Sequence, residues 1–319
     1  MEKILEIIQQ AKRENWTELD LSFNNLIELP SEIGELVNLT KLNLSSNCLA
    51  EFPLEIINLK SLNKLDLGIN HLKSLPPEIG ELVNLRELRM YRNQLTELPR
   101  EVCSKLKNLS ILDVYFNFLT ELPAEIYNLE NLIELDFGHN PIADVSKEIN
   151  KLLKLKKLSI LELSFLDLKI LPKELGELTN LKELNLFVNQ LTELPEEIGK
   201  LQNLSKLNLA DNRFTDISMD IKKLSRIKNL TELELSQNKI TELPSEIAYL
   251  KNLKNFELEG NNLIKISEKI CKLKNLRNLN LSGNQLTELP KNIGKMKNLR
   301  KLDLTSNKLT ELPKKGWIL

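Results

Sequence analysis

Leu85-Arg86-Glu87-Leu88-Arg89-Met90-Tyr91-Arg92-Asn93-Gln94-Leu95-Thr96-Glu97-Leu98-Pro99 is the stretch whose reading decides the fold. Leu88 and Met90 are apolar and alternate with residues 87, 89 and 91. A period of two marks a short strand with one face buried and one exposed. Asn93 ends the strand, where a side-chain amide can bond backbone groups of its own segment and of a neighbour. Leu95 to Pro99 then leads away; proline lacks an N–H and fixes φ, so it suits a turn or the first turn of a helix. The segment before the strand, Glu78 to Asn84, reads as a short helical stretch with two inward apolar residues. The same wording, L-x-x-L-x-L-x-x-N-x-L, recurs thirteen times, mostly at a step of 23 residues. No single copy buries its leucines alone, so the copies must stack, sharing one core and laying their strands side by side.

The register is set by Asn24, Asn47, Asn70, Asn93, Asn117, Asn140, Asn189, Asn212, Asn238, Asn261, Asn284 and Asn307. Leu166 stands where the seventh asparagine belongs. The coil starting at Leu85 carries one extra residue, and those starting at Leu132 and Leu204 carry three each, falling on the convex side. Val145-Ser146, Ile217-Ser218 and Ile266-Ser267 replace Leu-Pro. The longer convex segments of the coils starting at Leu132 and Leu204 are expected to be fuller α-helix, with serine as the N-cap. At Leu166 the turn must satisfy its backbone by local rearrangement or water.

These repeats resemble the leucine-rich-repeat superfamily in its 23-residue L-P-x-x-I form, over about residues 16 to 313. Bacterial leucine-rich-repeat proteins, Roco-type GTPase arms and plant intracellular Ras-group repeat proteins are similar. The expected fold class is α/β: a right-handed solenoid or horseshoe with a concave parallel sheet of about 13 strands and short convex helical segments. We read one domain, 1–319. Residues 1–15 form a capping helix with Ile4, Leu5, Ile7, Ile8 and Ala11 on one face. Thirteen repeats fill 16–313, and 314–319, with Trp317, Ile318 and Leu319, are a tail or makeshift cap. The resemblance implies an interaction scaffold, with signalling as its setting, and does not name a partner.

A formal net charge of −1 gives no overall bias toward nucleic acid or an anionic membrane. The start has no basic segment followed by a long apolar run, so no signal peptide is read, and no apolar stretch is long enough to span a bilayer. Cys48, Cys103 and Cys271 lie in distant repeats and cannot pair, and paired-cysteine caps are missing. Both facts point to a cytoplasmic setting. There is no phosphate loop, zinc spacing or nucleophile elbow. His71 and His139 are three coils apart, roughly 14 Å at about 4.8 Å per strand, too far to share a metal. No catalytic residue, metal or cofactor is therefore expected.

The concave face stands out. Outer coils place small polar residues there, such as Ser45 and Ser46, or Ser282 and Gly283. The middle coils place Ile69, Tyr91, Arg92, Tyr115, Phe116, His139, Phe165 and Phe187. Packing does not require aromatics at these positions, and aromatics with arginine are the usual hot-spot residues of interfaces. Asp113, Asp136 and Glu162 add acidic character, so the expected partner is a protein or peptide with apolar or aromatic anchors and basic groups. Lys147, Lys151, Lys154, Lys156 and Lys157 are read as solvating a convex helix. The reading is a monomeric, non-enzymatic protein-binding module. The alternatives are a self-assembling structural protein joined through its ends, and a secreted, host-directed effector or surface protein.

Overall fold

The computed structural model describes residues 2–313; the tail from residue 314 lies outside the described residues. The chain forms two compact units, residues 1–159 and 160–319. The first begins with helix α1 (Glu2–Arg13), which buries Ile4, Ile8 and Ala11. It continues with six three-residue strands: β1 (Glu18–Asp20), β2 (Lys41–Asn43), β3 (Lys64–Asp66), β4 (Glu87–Arg89), β5 (Ile111–Asp113) and β6 (Glu134–Asp136). Each pairs with the next, all parallel and in register, so that Leu65 lies beside Leu88 and Leu88 beside Leu112. The second unit holds β7 (Ile160–Glu162), β8 (Glu183–Asn185), β9 (Lys206–Asn208) and β10 (Glu232–Glu234). Beyond them come β11 (Glu242–Leu243), β12 (Asn255–Glu257), β13 (Lys265–Ile266), β14 (Asn278–Asn280) and β15 (Lys301–Asp303). Its seven main strands are again parallel and in chain order, while β11 and β13 make a separate two-stranded pair on the outgoing side of their coils. The described strands are those of a leucine-rich-repeat solenoid.

Most return segments are five-residue 3₁₀ turns that start after the proline, as in Pro77–Glu81 after Pro76. Their isoleucine and the strand leucines are fully buried, as Ile79, Leu85 and Leu88 are. Where residues are inserted the return is α-helical: α2 (Arg100–Lys105), α3 (Val145–Leu152) and α4 (Ser218–Leu224). The caps differ from expectation. Asp144, not Ser146, caps α3 by accepting the Lys147 N–H at 3.0 Å, and the Asp216 carboxylate accepts the Ser218 N–H at 2.8 Å. A carboxylate two positions earlier reaches the free N–H groups better than a hydroxyl already inside the helix. Ser267 does cap its own 3₁₀ turn.

Lys151 also departs from the expectation of a solvated lysine. Its ammonium lies 2.9 Å from Glu148, whose carboxylate is buried and accepts the Leu122 N–H at 2.9 Å. Asp220 and Lys223 repeat the device: Asp220 accepts the Leu194 N–H at 2.9 Å and Lys223 donates to the Leu194 carbonyl at 2.6 Å. In two of the three proline-less coils, those with inserted residues, an acid and a lysine at i, i+3 reach back to the backbone of the preceding coil.

The asparagines hold the coils to one another. Asn70 donates to the Leu67 carbonyl of its own coil at 3.1 Å and to Leu44 of the coil before at 3.0 Å, and its oxygen accepts the Leu49 N–H at 2.9 Å. Asn47, Asn93, Asn117, Asn140 and Asn189 repeat this pattern, as do the later rungs through Asn307. The seventh coil offers Leu166 instead, and in the sixth the Ile142 N–H turns onto the carbonyl of Asn140 at 2.8 Å. That is the local rearrangement expected at the broken rung.

Asn189 bonds the carbonyls of Leu163 and Leu186 at 2.9 and 3.0 Å and accepts from Leu166 and Leu168 at 3.2 and 3.0 Å. Asn189→Leu strands these buried groups and is expected to cost about 1–3 kcal/mol or more. Leu166→Asn, which supplies an amide where the backbone has already adapted, is expected to be neutral or stabilising. Thermal melts of the two variants compare them directly; equal effects would contradict the ladder's role.

Candidate functional site

The residue before each ladder position has a left-handed backbone. This holds in all thirteen coils, from Phe23 (φ 56°) to Ser306 (φ 55°), including Ile69 (52°), Arg92 (52°), Phe116 (54°), His139 (52°), Phe165 (56°) and Val188 (50°). Coils eleven and twelve place Gly260 and Gly283 there, both at φ 65°. An L-residue in this region costs roughly 1–2 kcal/mol, and β-branched residues are the least suited. The large side chains singled out in the sequence therefore occupy a position whose backbone favours glycine.

In the first unit these side chains meet. The rings of Phe116 and His139 stack at 4.1 Å between centroids and 18° between planes, and the Arg92 guanidinium lies 5.8 Å from the Phe116 centroid. Tyr115 packs against both rings, at 6.2 Å from Phe116 and 5.8 Å from His139. Ile69 and Phe116 are each 40% exposed, enough to meet a partner. Tyr91 lies over Gly68, where a Cβ would collide with its ring, and it reaches the hydroxyl of Ser45 two coils back. Burial, with Asp66 and Asp113 nearby, raises the Tyr91 phenol above its ordinary value. In the second unit Phe165 and Phe187 meet edge to face at 5.5 Å, both half-buried. That unit's open sheet face is otherwise polar: a hollow of about 430 Å³ is lined by Glu162, Glu183, Lys206, Glu232 and Glu257, with asparagines between them.

The strand-end acids have a structural role that spacing alone did not reveal. Asp66 accepts the Gly68 N–H at 2.9 Å, Asp113 that of Tyr115 at 3.1 Å, and Asp136 that of Gly138 at 2.9 Å. Asn43, Asn185 and Asn208 do the same in their coils. These are turns closed by Asp and Asn side chains onto the backbone two residues on. The recurrence of Asp or Asn at this position was the available signal. Asp113 is buried, with Arg89 at 3.5 Å, and Arg89 in turn pairs with Glu87. Glu162 is half-buried and lines the polar hollow of the second unit.

Burial pushes the Asp113 carboxyl up to about 6, against the pull of the Tyr115 N–H and Arg89. An unfolded aspartate titrates near ~3.9. The folded chain thus holds this proton more tightly, and Asp113 subtracts stability as the pH rises from about 4 to 6. Asp113→Asn keeps an acceptor for the Tyr115 N–H. It is expected to melt above the parent at neutral pH, by about 1–3 kcal/mol, with the gap closing near about pH 4. A second expectation concerns the strained column: Ile69→Gly should leave the melting temperature unchanged or raise it. Relief of about 1–2 kcal/mol of backbone cost meets roughly 0.5–1 kcal/mol of added unfolded-state entropy.

Models of leucine-rich repeat families match residues 76–191 as a repeat region, 202–264 and 228–286 as leucine rich repeats, 179–223 and 274–314 as repeat pairs, and 15–36 as a single repeat. No curated protein matches the chain. Among solved structures, a leucine-rich-repeat protein of Leptospira interrogans is 40% identical with a TM-score of 0.83, covering 96% of this chain and 83% of that one. An internalin from Listeria monocytogenes is 25% identical with a TM-score of 0.77, covering 97% and 89%. The plant peptide hormone receptor RGFR1 in complex with RGF2 is 33% identical with a TM-score of 0.67, covering 97% of this chain and 49% of the receptor. With repeat models spread from residue 15 to 314 and a solved relative 40% identical over 96% of this chain, the chain belongs to the leucine-rich-repeat family.

Proposed function

We propose that the protein is a non-enzymatic binding module that takes a protein or peptide partner on the open face of its strands. The carrying observation is the column Ile69, Arg92, Phe116 and His139, large side chains on four successive coils held in left-handed backbone where two sister coils use Gly260 and Gly283. A sequence tends to keep strain of this kind where the side chain has a use, since several kcal/mol of backbone cost otherwise goes unreturned. With Tyr91 and Tyr115 the column forms an exposed aromatic patch with an arginine in it, the composition of interface hot spots. The plant receptor relative is solved in complex with RGF2, which fits the same use of the fold. Asp66 and Asp136 lie at the strand ends beside the patch and favour a partner with basic groups around an apolar or aromatic anchor, whereas Asp113 is buried against Arg89 and serves its own turn. Glu162, Phe165 and Phe187 of the second unit are proposed contacts on the same grounds. Scaffolding within a signalling assembly and a cytoplasmic location belong to this proposal; among the described residues no helix is long and apolar enough to cross a membrane.

Selection from a random peptide library against the intact protein tests the reading. Enriched peptides are expected to carry an aromatic or aliphatic anchor flanked by lysine or arginine. The double variant Tyr91→Ala, Phe116→Ala should melt near the parent, because both side chains lie outside the leucine core. It should bind those peptides about thirtyfold more weakly, the effect of losing roughly 2 kcal/mol at a hot spot. Equal binding by parent and variant would remove the patch from the interface.

A further inference from the structure

The near-zero net charge conceals a concentrated basic strip in the second unit. The turns that enter strands β10, β12, β14 and β15 read Ser225-Arg226-Ile227-Lys228-Asn229-Leu230-Thr231, Tyr249-Leu250-Lys251-Asn252-Leu253-Lys254, Cys271-Lys272-Leu273-Lys274-Asn275-Leu276-Arg277 and Gly294-Lys295-Met296-Lys297-Asn298-Leu299-Arg300. They hold ten cations and no carboxylate. At the position where these four turns hold Lys228, Lys251, Lys274 and Lys297, the earlier coils hold Val37, Val83, Glu130, Thr179 and Gln202, with lysine only at Lys60, Lys107 and Lys156 and never in two successive coils. All ten are exposed, and among the described residues only Arg226 has an acidic partner, Glu196.

The strip is rigid at its base. One column is Lys228, Lys251, Lys274 and Lys297. The carbonyls of its first three members accept from Asn252, Asn275 and Asn298 of the following coils, at 2.7, 2.9 and 2.6 Å. The other column is Lys254, Arg277 and Arg300. The Arg277 N–H donates to the Lys254 carbonyl at 2.8 Å, and that of Arg300 to Arg277 at 2.7 Å. Successive cations therefore stand one coil apart, about 4.8 Å, with their side chains free to reach outward. Like charges at this spacing repel, and nothing in the packing requires them, since earlier coils fold with valine or threonine in the same places. The extra residues of the ninth coil also leave a hollow of about 460 Å³ whose wall includes Lys228, Lys251 and the exposed Tyr249.

We propose that this strip is a docking surface for an anionic lipid bilayer. A layer of mobile anionic headgroups satisfies an array of cations without matching its register, each cation near the surface contributing about 1 kcal/mol. Tyr249 suits the interface, where its ring meets the acyl boundary and its hydroxyl the water. Recognition of single-stranded nucleic acid would call for stacking aromatics along the strip, and duplex reading for a helix or ribbon entering a groove. Tyr249 is the one aromatic residue in these four turns. The proposal is independent of the aromatic patch, which lies in different coils.

The test is co-sedimentation of the full chain with vesicles of phosphatidylcholine alone or mixed with phosphatidylserine, beside titration with a short random-sequence DNA duplex. The protein is expected to pellet with the mixed vesicles only, and less as salt rises. The variant Lys251→Gln, Lys274→Gln, Arg277→Gln, Arg300→Gln should melt like the parent and partition at least about a hundredfold less, four cations at about fivefold each. A control with Lys73, Lys107, Lys169 and Lys173 each changed to Gln should bind as the parent does. Should the fourfold variant be unstable, Lys274→Gln and Arg277→Gln singly, each expected to lose about fivefold, carry the same comparison. Absence of binding to the mixed vesicles, equal loss in strip and control variants, or duplex DNA bound more tightly than vesicles and stripping the protein from them would each overturn the proposal.

Discussion

The bidentate reach of one asparagine per coil is the interaction on which the rest depends. Three-residue strands make few ladder bonds, and a chain of such short elements leaves many turn N–H and carbonyl groups inside. Asn70 or Asn189 meets several of these groups at once, in its own coil and the coil before, and is itself almost completely buried. The leucines supply the free energy of stacking, but leucine contacts alone tolerate sliding and rotation. Directional amide bonds fix the register, and with it the side of the coil on which every other residue emerges.

That fixed register creates the conformational cost beside it. For the asparagine amide to turn inward, the residue before it adopts left-handed backbone, and the strand-end Asp or Asn closes the turn from the other side. Gly260 and Gly283 are comfortable there in the later coils, and Asp211 tolerates it, while Val188 and Gln237 carry the same cost. Phe116 and His139 carry it too, and their rings stack directly on a strained segment. Strain, stacking and exposure coincide where Arg92, Phe116 and His139 meet, which is why that stretch of the row, rather than Phe23 at its isolated first position or the scattered Ile170, is the better candidate for recognition.

Where the repeat departs from its rule, the chain substitutes one kind of backbone satisfaction for another. In the two coils that lose the proline and gain three residues, the return becomes an α-helix, and a buried acid with a lysine one turn later bonds the backbone of the coil before: Glu148 and Lys151 at Leu122, Asp220 and Lys223 at Leu194. These pairs are conformational clasps, and the desolvation of their charges is offset by direct bonds to backbone groups that would otherwise be unmet. The same coil-to-coil regularity lets a modest sequence change, lysine or arginine in place of valine or threonine, propagate into a charged strip several coils long.

The sequence by itself determined the coil, its parallel strands, the asparagine ladder and the capping helix, because all of these follow from apolar periodicity and from one side-chain amide with few places to go. It also marked the aromatic row, since Tyr91, Phe116 and Phe165 stand where sister coils carry small residues. Only the tertiary structure decided what those positions mean. That the row is conformationally strained depends on backbone angles which Gly260 and Gly283 hinted at and Phe116 did not. That Asp113 serves its own turn, and that Lys151 is clasped by Glu148, depends on which atoms a coil presents to the next. That the lysines of four separate turns form one surface depends on stacking, because residues 23 apart in the chain become neighbours only when the coils are laid on one another.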